Sequence, residues 1–274
     1  FARADRLIYN RNWTGDASAD SAGGHGNLNA AIVGGYNGQT GTLYQDIDGY
    51  SYGLGINPFG RIGGSKVFNN DGNWGHAGSD AEVVSASYES GARISTNSWG
   101  CGPPWCDGAP YTVDAQTYDA LVRDAVADRA GNQEMIILFA AGNDGTTSAT
   151  IGTPATAKNV IAVGASENVR PTWTDGCGDG PTQADNAQDI ADFSSRGPTS
   201  DGRIKPDLVA PGTHIQGAAS QSPNYKGTGV CDIYYPPFQT LYAASSGTSH
   251  ATPAVAGAAS LIYRYYIAKG IGQE

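Results

Sequence analysis

No stretch of this 274-residue chain approaches the roughly 20 consecutive apolar residues of a membrane-crossing helix. The longest apolar runs, 135–141 and 160–165, have the length of buried strands. Basic residues are scarce as well: 16 Lys and Arg against 26 Asp and Glu leave a net charge of −10. Phosphate binding needs a basic footprint, so a nucleic-acid partner is excluded as an expectation. Methionine is almost absent: Met135 is the only one and the chain starts at Phe1. No initiator or signal peptide is present, so the chain reads as a processed or excised piece. Cysteines are few and even in number, at positions 101, 106, 177 and 231. No C-x-x-C pair occurs and no histidine has ligand spacing to them, which disfavours a zinc site. Cys101 and Cys106 bracket a Gly-Pro-Pro-Trp turn, while Cys177 and Cys231 lie in Gly/Pro-rich stretches. Two disulfides, Cys101–Cys106 and Cys177–Cys231, and a secreted or extracellular location are expected.

Glycine, in contrast, is abundant, with 39 residues beside 14 prolines. Apolar segments recur between these turn residues, so the pattern is that of a folded chain. A glycine turn opens a short helix over 25–34, and Asp80 is expected to cap a helix over 81–89 stopped by Gly91. The longest helical pattern, 111–130, puts Tyr118, Leu121, Val122, Ala125 and Val126 on one face. Strands are expected at 66–68, 93–99, 135–140, 159–164 and 207–210. The last three are nearly continuous apolar runs, as in parallel strands buried on both faces. Polar segments 170–188 and 216–239 read as surface loops. Strand and helix in alternation predict one α/β domain over 1–274, with a doubly wound, mostly parallel sheet and helices on both faces.

Chemistry concentrates in three segments. Gly247-Thr-Ser249-His-Ala-Thr-Pro253 delivers a serine at the start of a helix whose small-residue run, 254–262, reads as buried. Unpaired N–H groups at a helix N-terminus favour negative charge beside that serine. A serine nucleophile needs a base. His25, in Gly23-Gly-His25-Gly-Asn-Leu-Asn29, is best placed to supply one. His76 lies in a glycine-rich loop, His214 in a turn expected to be exposed, and His250 points away from Ser249. Asn143, just past the apolar strand that ends in Phe139-Ala140-Ala141-Gly142, can donate an amide N–H to a developing oxyanion. Sites of parallel sheets gather at the carboxyl ends of strands, where the three segments converge.

Together these segments resemble the subtilisin-like serine proteases, the subtilases. The serine segment is similar to their G-T-S-M-A-T-P motif, the histidine segment to H-G-T-H-V-A-G, and Ala141-Gly-Asn143 to their oxyanion segment. Further similarities are Ser98-Trp99-Gly100, Ala157-Lys-Asn-Val-Ile-Ala-Val-Gly164, Phe193-Ser-Ser-Arg-Gly-Pro198 and Arg203-Ile-Lys-Pro-Asp-Leu-Val-Ala-Pro-Gly212. The chain looks most similar to the large alkaline subtilases that carry a C-terminal β-domain. The resemblance implies that Ser249 attacks a peptide carbonyl, His25 carries the proton, and Asn143 holds the oxyanion. It also implies that Ser98, Trp99 and Gly100 pair with an extended peptide. Ala140, Ala141 and Gly142, with 152–154, would border the specificity pocket, and 75–78 would flank the peptide. No cofactor is needed for that chemistry. Structural calcium comes with the resemblance and with the acidic loop 175–192, but no D-x-D-x-D-G motif assigns ligands.

Three departures accompany these similarities. The family's catalytic aspartate lies on the first core strand, upstream of the histidine in a D-[ST]-G context. None of Asp5, Asp16 or Asp20 has that setting. The aspartate and its strand are therefore expected in a missing N-terminal segment of the same precursor, and the C-terminus also reads as truncated. Leu28 and Asn29 replace the second histidine and the valine of the histidine motif. His250 replaces the methionine after the serine. The leading reading is a serine endopeptidase. The alternatives are a catalytically impaired relative that binds peptides, or a structural extracellular fragment.

Overall fold

A computed structural model describes residues 4–271. After a short 3₁₀ turn come β1 (Leu7–Asn12), α1 (His25–Gly34), β2 (Ile62–Lys66), α2 (Asp80–Glu89) and β3 (Ile94–Asn97). They are followed by α3 (Val113–Arg123), β4 (Ile136–Ala140), β5 (Ile161–Ser166) and β6 (Leu208–Pro211). The chain closes with β7 (Ile215–Ala218), β8 (Tyr242–Ser245) and α4 (Thr248–Ala268).

The centre of the fold is the parallel ladder β3-β4-β5-β6. Its middle strands alternate their contacts between two cores, as side chains on a strand must. Ile137 and Phe139 face Val84, Tyr118 and Leu121 of α2 and α3. Ile136 and Leu138 face Ala251, Val255 and Ala256 of α4 on the other side. Helices thus cover both faces, which is why these strands read as unbroken apolar runs. Ile137, Leu138 and Phe139 are fully buried, and each such side chain contributes about 1.5–3 kcal/mol by leaving water.

A second parallel ladder joins β1 to β2, and β7 pairs antiparallel with β8. Neither β2 nor β3 pairs on its second side, so among the described residues the parallel strands form two ladders. Parallel strands with helices packed on both faces agree with the expected α/β fold.

Several boundaries differ from the expected ones. The strand expected at 66–68 lies earlier, over Ile62–Lys66, because Gly63 and Gly64 let it pass close to Tyr9 and Asn10 of β1. Ser79, not Asp80, caps α2: its hydroxyl accepts from Glu82 N–H while the Glu82 carboxylate accepts from Ser79 N–H, a reciprocal capping box. The helix expected over 111–130 is only Val113–Arg123, because Asp124 turns extended. Ala125 and Val126 are still buried, from an irregular segment. Residues 216–218 belong to β7 and not to a loop. Of the run 254–262 only Ala256 and Gly257 are buried. Beyond it α4 outruns the sheet beneath it and exposes Leu261, Ile262 and Tyr263. Both expected disulfides, Cys101–Cys106 and Cys177–Cys231, form.

Candidate active site

The carboxyl end of β4 and the start of α4 meet where the sequence placed the chemistry. Gly247 enters α4 at φ 148°, a conformation open to glycine, and its N–H donates to Gly212 O (2.8 Å). A side chain there would press on Asn143 Nδ2 at 3.3 Å. Thr248 is fully buried and donates twice to Asn143 Oδ1, from its N–H and from its hydroxyl, at 2.9 Å each. Its hydroxyl also accepts from Gly142 N–H at 3.2 Å. With its oxygen occupied, Asn143 lies on an exposed loop with its NH₂ next to Gly247, at the entry to α4, and without a hydrogen-bond partner among the described residues. Nothing in the sequence signalled Thr248 as the anchor of this amide, since the two residues lie 105 positions apart.

Ser249 is half-buried on that first turn. It exchanges hydrogen bonds with Ser98: the Ser98 hydroxyl donates to Ser249 O at 2.6 Å, and the Ser249 hydroxyl donates to Ser98 O at 3.4 Å. Segment 98–101 is held in place by a two-way backbone bridge between Cys101 and Thr153 (2.8 and 2.9 Å). Gly152 N–H in turn donates to Ala141 O at 2.8 Å. Gly100 sits so close to Thr153 O that a Cβ would approach it to 2.9 Å. The structure therefore sets Ser98 against Ser249 and Gly142 against Thr248, while Gly100 and Ala141 are tied to segment 152–153. Trp99 lies to the side, its ring 4.4 Å from Trp74 and 5.0 Å from Phe139. Ala140 and Ala141 are buried in the core beneath.

His25 begins α1. Gly24 precedes it at φ 102°, and a side chain on Gly24 would collide with Tyr225 at 2.5 Å. Segment 225–230 folds over this turn, and Gly229 comes so near His25 that a Cβ would lie 2.9 Å from the His25 Cβ. The same loop explains Leu28. It is fully buried with Ile32, Ala219 and Ala243, under Tyr225, Val230 and Tyr234. Burial pulls the His25 pKa down to about 4. Its ring stands 5.4 Å from that of His250, and its one side-chain partner is Asn29, at 3.4 Å. No carboxylate is hydrogen-bonded to it among the described residues; Asp16 is instead paired with Lys66 at 2.9 Å. Nor does Ser249 hydrogen-bond to His25.

The other histidines are accounted for structurally. His76 Nε2 bonds Asp80 at 3.0 Å. His214, expected in an exposed turn, is buried at 1 % exposure and paired with the equally buried Asp175 at 2.9 Å. His250 points away from Ser249, and its Nδ1 lies 2.8 Å from Asn29 Oδ1. Two aspartates of the acidic loop are already engaged. Asp175 is taken by His214 and Cys177 N–H, and Asp179 by the Ser246 hydroxyl. Among the described residues no three His, Cys, Asp or Glu side chains gather as a metal site, and no step below involves one. No helix among them is long and apolar enough to cross a membrane.

Comparison with known proteins is consistent with this geometry. The family model described as "Subtilase family" matches residues 2–268. The serine protease AprX of Bacillus subtilis is 36% identical over 161 residues, covering 57% of this chain and 31% of that protein. Pyrolysin of Pyrococcus furiosus is 30% identical over 226 residues, covering 79% of this chain and 14% of its own length. The chain thus spans under a third of either relative. Among solved structures, sphericase superposes with a TM-score of 0.56 at 24% identity, covering 92% of this chain and 68% of its own. The protease domain of PatA gives 0.59 at 21% identity, covering 97% and 75%. The fold, the ordered motifs and these relatives lead to one conclusion: the chain belongs to the subtilase family.

Proposed function

We propose that the protein is a secreted serine endopeptidase that cleaves peptide bonds in extended or unfolded protein chains. The observation that carries this reading is the pair of hydrogen bonds from Thr248 to Asn143 Oδ1, which leaves the amide NH₂ unbonded next to Gly247, where α4 begins. Such a donor, fixed before substrate arrives, stabilises charge that develops only in the transition state.

Ser249 Oγ would attack the scissile carbonyl carbon while its proton passes to His25 Nε2. The C=O π electrons move onto oxygen, held by Asn143 and the Ser249 N–H. His25 then protonates the departing amine as the C–N bond breaks, and water repeats the sequence on the acyl-enzyme. Ser98, Trp99 and Gly100 would align the peptide, with Ala140, Ala141 and Gly142 bordering the pocket for its side chain. The family pattern calls for an aspartate behind His25 on a strand ahead of residue 1. The free edges of β2 and β3 would accept such a strand and join the two ladders.

The second reading is a catalytically impaired relative that binds peptides in this groove, or serves as a structural extracellular domain. Two observations favour it: the Ser249 hydroxyl turns to Ser98 O, and no carboxylate is hydrogen-bonded to His25 among the described residues. Incubating an unfolded protein substrate with the protein and with Ser249→Ala decides between them. Cleavage that Ser249→Ala abolishes supports the peptidase. Peptide binding with no cleavage by either protein supports the second reading.

A further inference from the structure

One disulfide joins the loop that covers the histidine to the turn that delivers the serine. Cys231 ends the segment folded over His25: a Cβ on Gly229 would meet the His25 Cβ at 2.9 Å, and Val230 packs against Leu28. Cys177 lies in a polar loop, flanked by Asp175 and Asp179. That loop meets Ser246, the residue before Gly247. The Ser246 N–H donates to Cys231 Sγ at 3.2 Å, and the Ser246 hydroxyl donates to Asp179. The same hydroxyl accepts from His214 N–H at 2.9 Å, and the His214 ring is paired with Asp175 at 2.9 Å. Asp175 in turn accepts from Cys177 N–H at 3.1 Å. All of these contacts of Ser246 lead back to Cys177 or Cys231. The other disulfide, Cys101–Cys106, closes only its own turn, with a sequence separation of 5 against 54 here.

We propose that the Cys177–Cys231 disulfide is a clamp that holds the loop over His25 and the turn before Ser249 in one arrangement, so that a dithiol reductant lowers the reactivity of Ser249 in a protein that stays folded. This rests on the Ser249–His25 reading above. Segments 175–179 and 225–231 lie outside the helices and strands, so no ladder fixes them. Segments of that kind open locally unless they are tied down. Cys231 is exposed and Cys177 half-buried, which leaves the bond open to attack. A thiolate of the reductant attacks Cys231 Sγ, the S–S bond breaks, and Cys177 leaves as a thiolate that takes a proton. The second thiolate of the reductant then displaces Cys231, which is protonated in turn, and the reductant departs as a cyclic disulfide. Two electrons and two protons pass from the dithiol to the protein. Once parted, the loops no longer hold Asp179 and the Cys231 sulfur against Ser246. Ser246 leads into Gly247, whose backbone aims the first turn of α4, so the loosening reaches Ser249. A misplacement of about 1 Å can slow a reaction about 10²-fold.

The test times the labelling of Ser249 by a serine-reactive phosphonate on the untreated protein, after dithiothreitol, and after reoxidation. Alkylation and peptide mapping show which disulfide is open. Opening Cys177–Cys231 should slow labelling about ten- to hundredfold, and reoxidation should restore it. The double variant Cys177→Ser with Cys231→Ser should label at the slow rate with or without dithiothreitol. A disulfide that only stabilises the fold would lower the urea midpoint and leave the labelling rate of the folded protein unchanged. Wild-type labelling by the folded double variant would overturn the proposal, and so would slowing that follows the opening of Cys101–Cys106 instead. If the double variant does not fold, the wild type reduced in its folded state decides, because an unchanged rate with Cys177 and Cys231 free would equally overturn it. Hydrogen–deuterium exchange at 225–230 and 246–249 should also rise on reduction, a readout that needs no catalysis. No labelling of the untreated protein would count against the peptidase reading alone, and unchanged exchange at both segments would then overturn the clamp.

Discussion

Asn143 is the residue whose role is most closely tied to its bonds. Its oxygen is fixed by two donations from Thr248, so its NH₂ has one direction left to serve. Asn143→Ala should lower kcat by roughly 10²–10³-fold, the cost of removing such a donor in subtilisin, with little change in KM. Steady-state kinetics on a chromogenic peptide measures both. An equal rise in KM would instead make Asn143 a ground-state contact. At this scale Ser249, His25 and Asn143 were legible because each sits in a compact motif. Thr248 as an anchor was not, and neither was the meeting of Asn29 with His250, because both contacts join segments distant in sequence. His214 misled for the same reason: a Gly-Thr-His turn looks solvent-exposed until Asp175, 39 positions away, covers it.

The element that aims the chemistry is the start of α4. Gly247 has a backbone conformation that L side chains rarely adopt, and its Cα faces the Asn143 amide. Gly247→Ala should destabilise the fold by about 1–3 kcal/mol, the usual cost of such backbone strain. It should also slow Ser249 labelling by more than the stability loss explains, since the added methyl displaces the amide. Urea denaturation and labelling rates measured side by side test this, and wild-type labelling in a folded variant would contradict it. Elements were legible where burial acts through local pattern. The bounds of α1 follow from a glycine turn at each end, and β4 and β5 from their apolar runs. α3 is shorter than its periodic face because burial of Ala125 and Val126 continues after the helix has ended. β1 gave no signal: Leu7-Ile-Tyr-Asn-Arg-Asn12 is largely polar and mostly exposed, and only its pairing with β2 makes it a strand.

For the molecule as a whole, two packed histidines with no carboxylate hydrogen-bonded to them among the described residues make stability depend on pH. The pKa of His25 is about 4 in the fold against an ordinary 6.5, and that of His250 is lowered too. Between these values the unfolded chain binds protons that the folded chain does not. Stability should therefore be full above about pH 6.5 and fall as the pH drops toward about 4. Asp201, held down to about 2 by Arg203 and Thr199, loses its contribution only in a lower window. Denaturation midpoints between pH 7 and 4.5 should show the decline, and His250→Met should flatten it. A flat wild-type profile would mean that the histidines are not enclosed as described. The doubly wound architecture was legible from the alternation of apolar runs with helical faces. The packing of 225–230 over His25 was not legible, because a Gly- and Tyr-rich loop carries no periodicity.

Whether Ser249 is an activated nucleophile is decided by treating the protein with a serine-reactive phosphonate and mapping the adduct by mass spectrometry. One adduct per chain is expected, on the peptide containing Ser249, and none on Ser249→Ala. A protein that remains unmodified, or an adduct on any other residue, would contradict it.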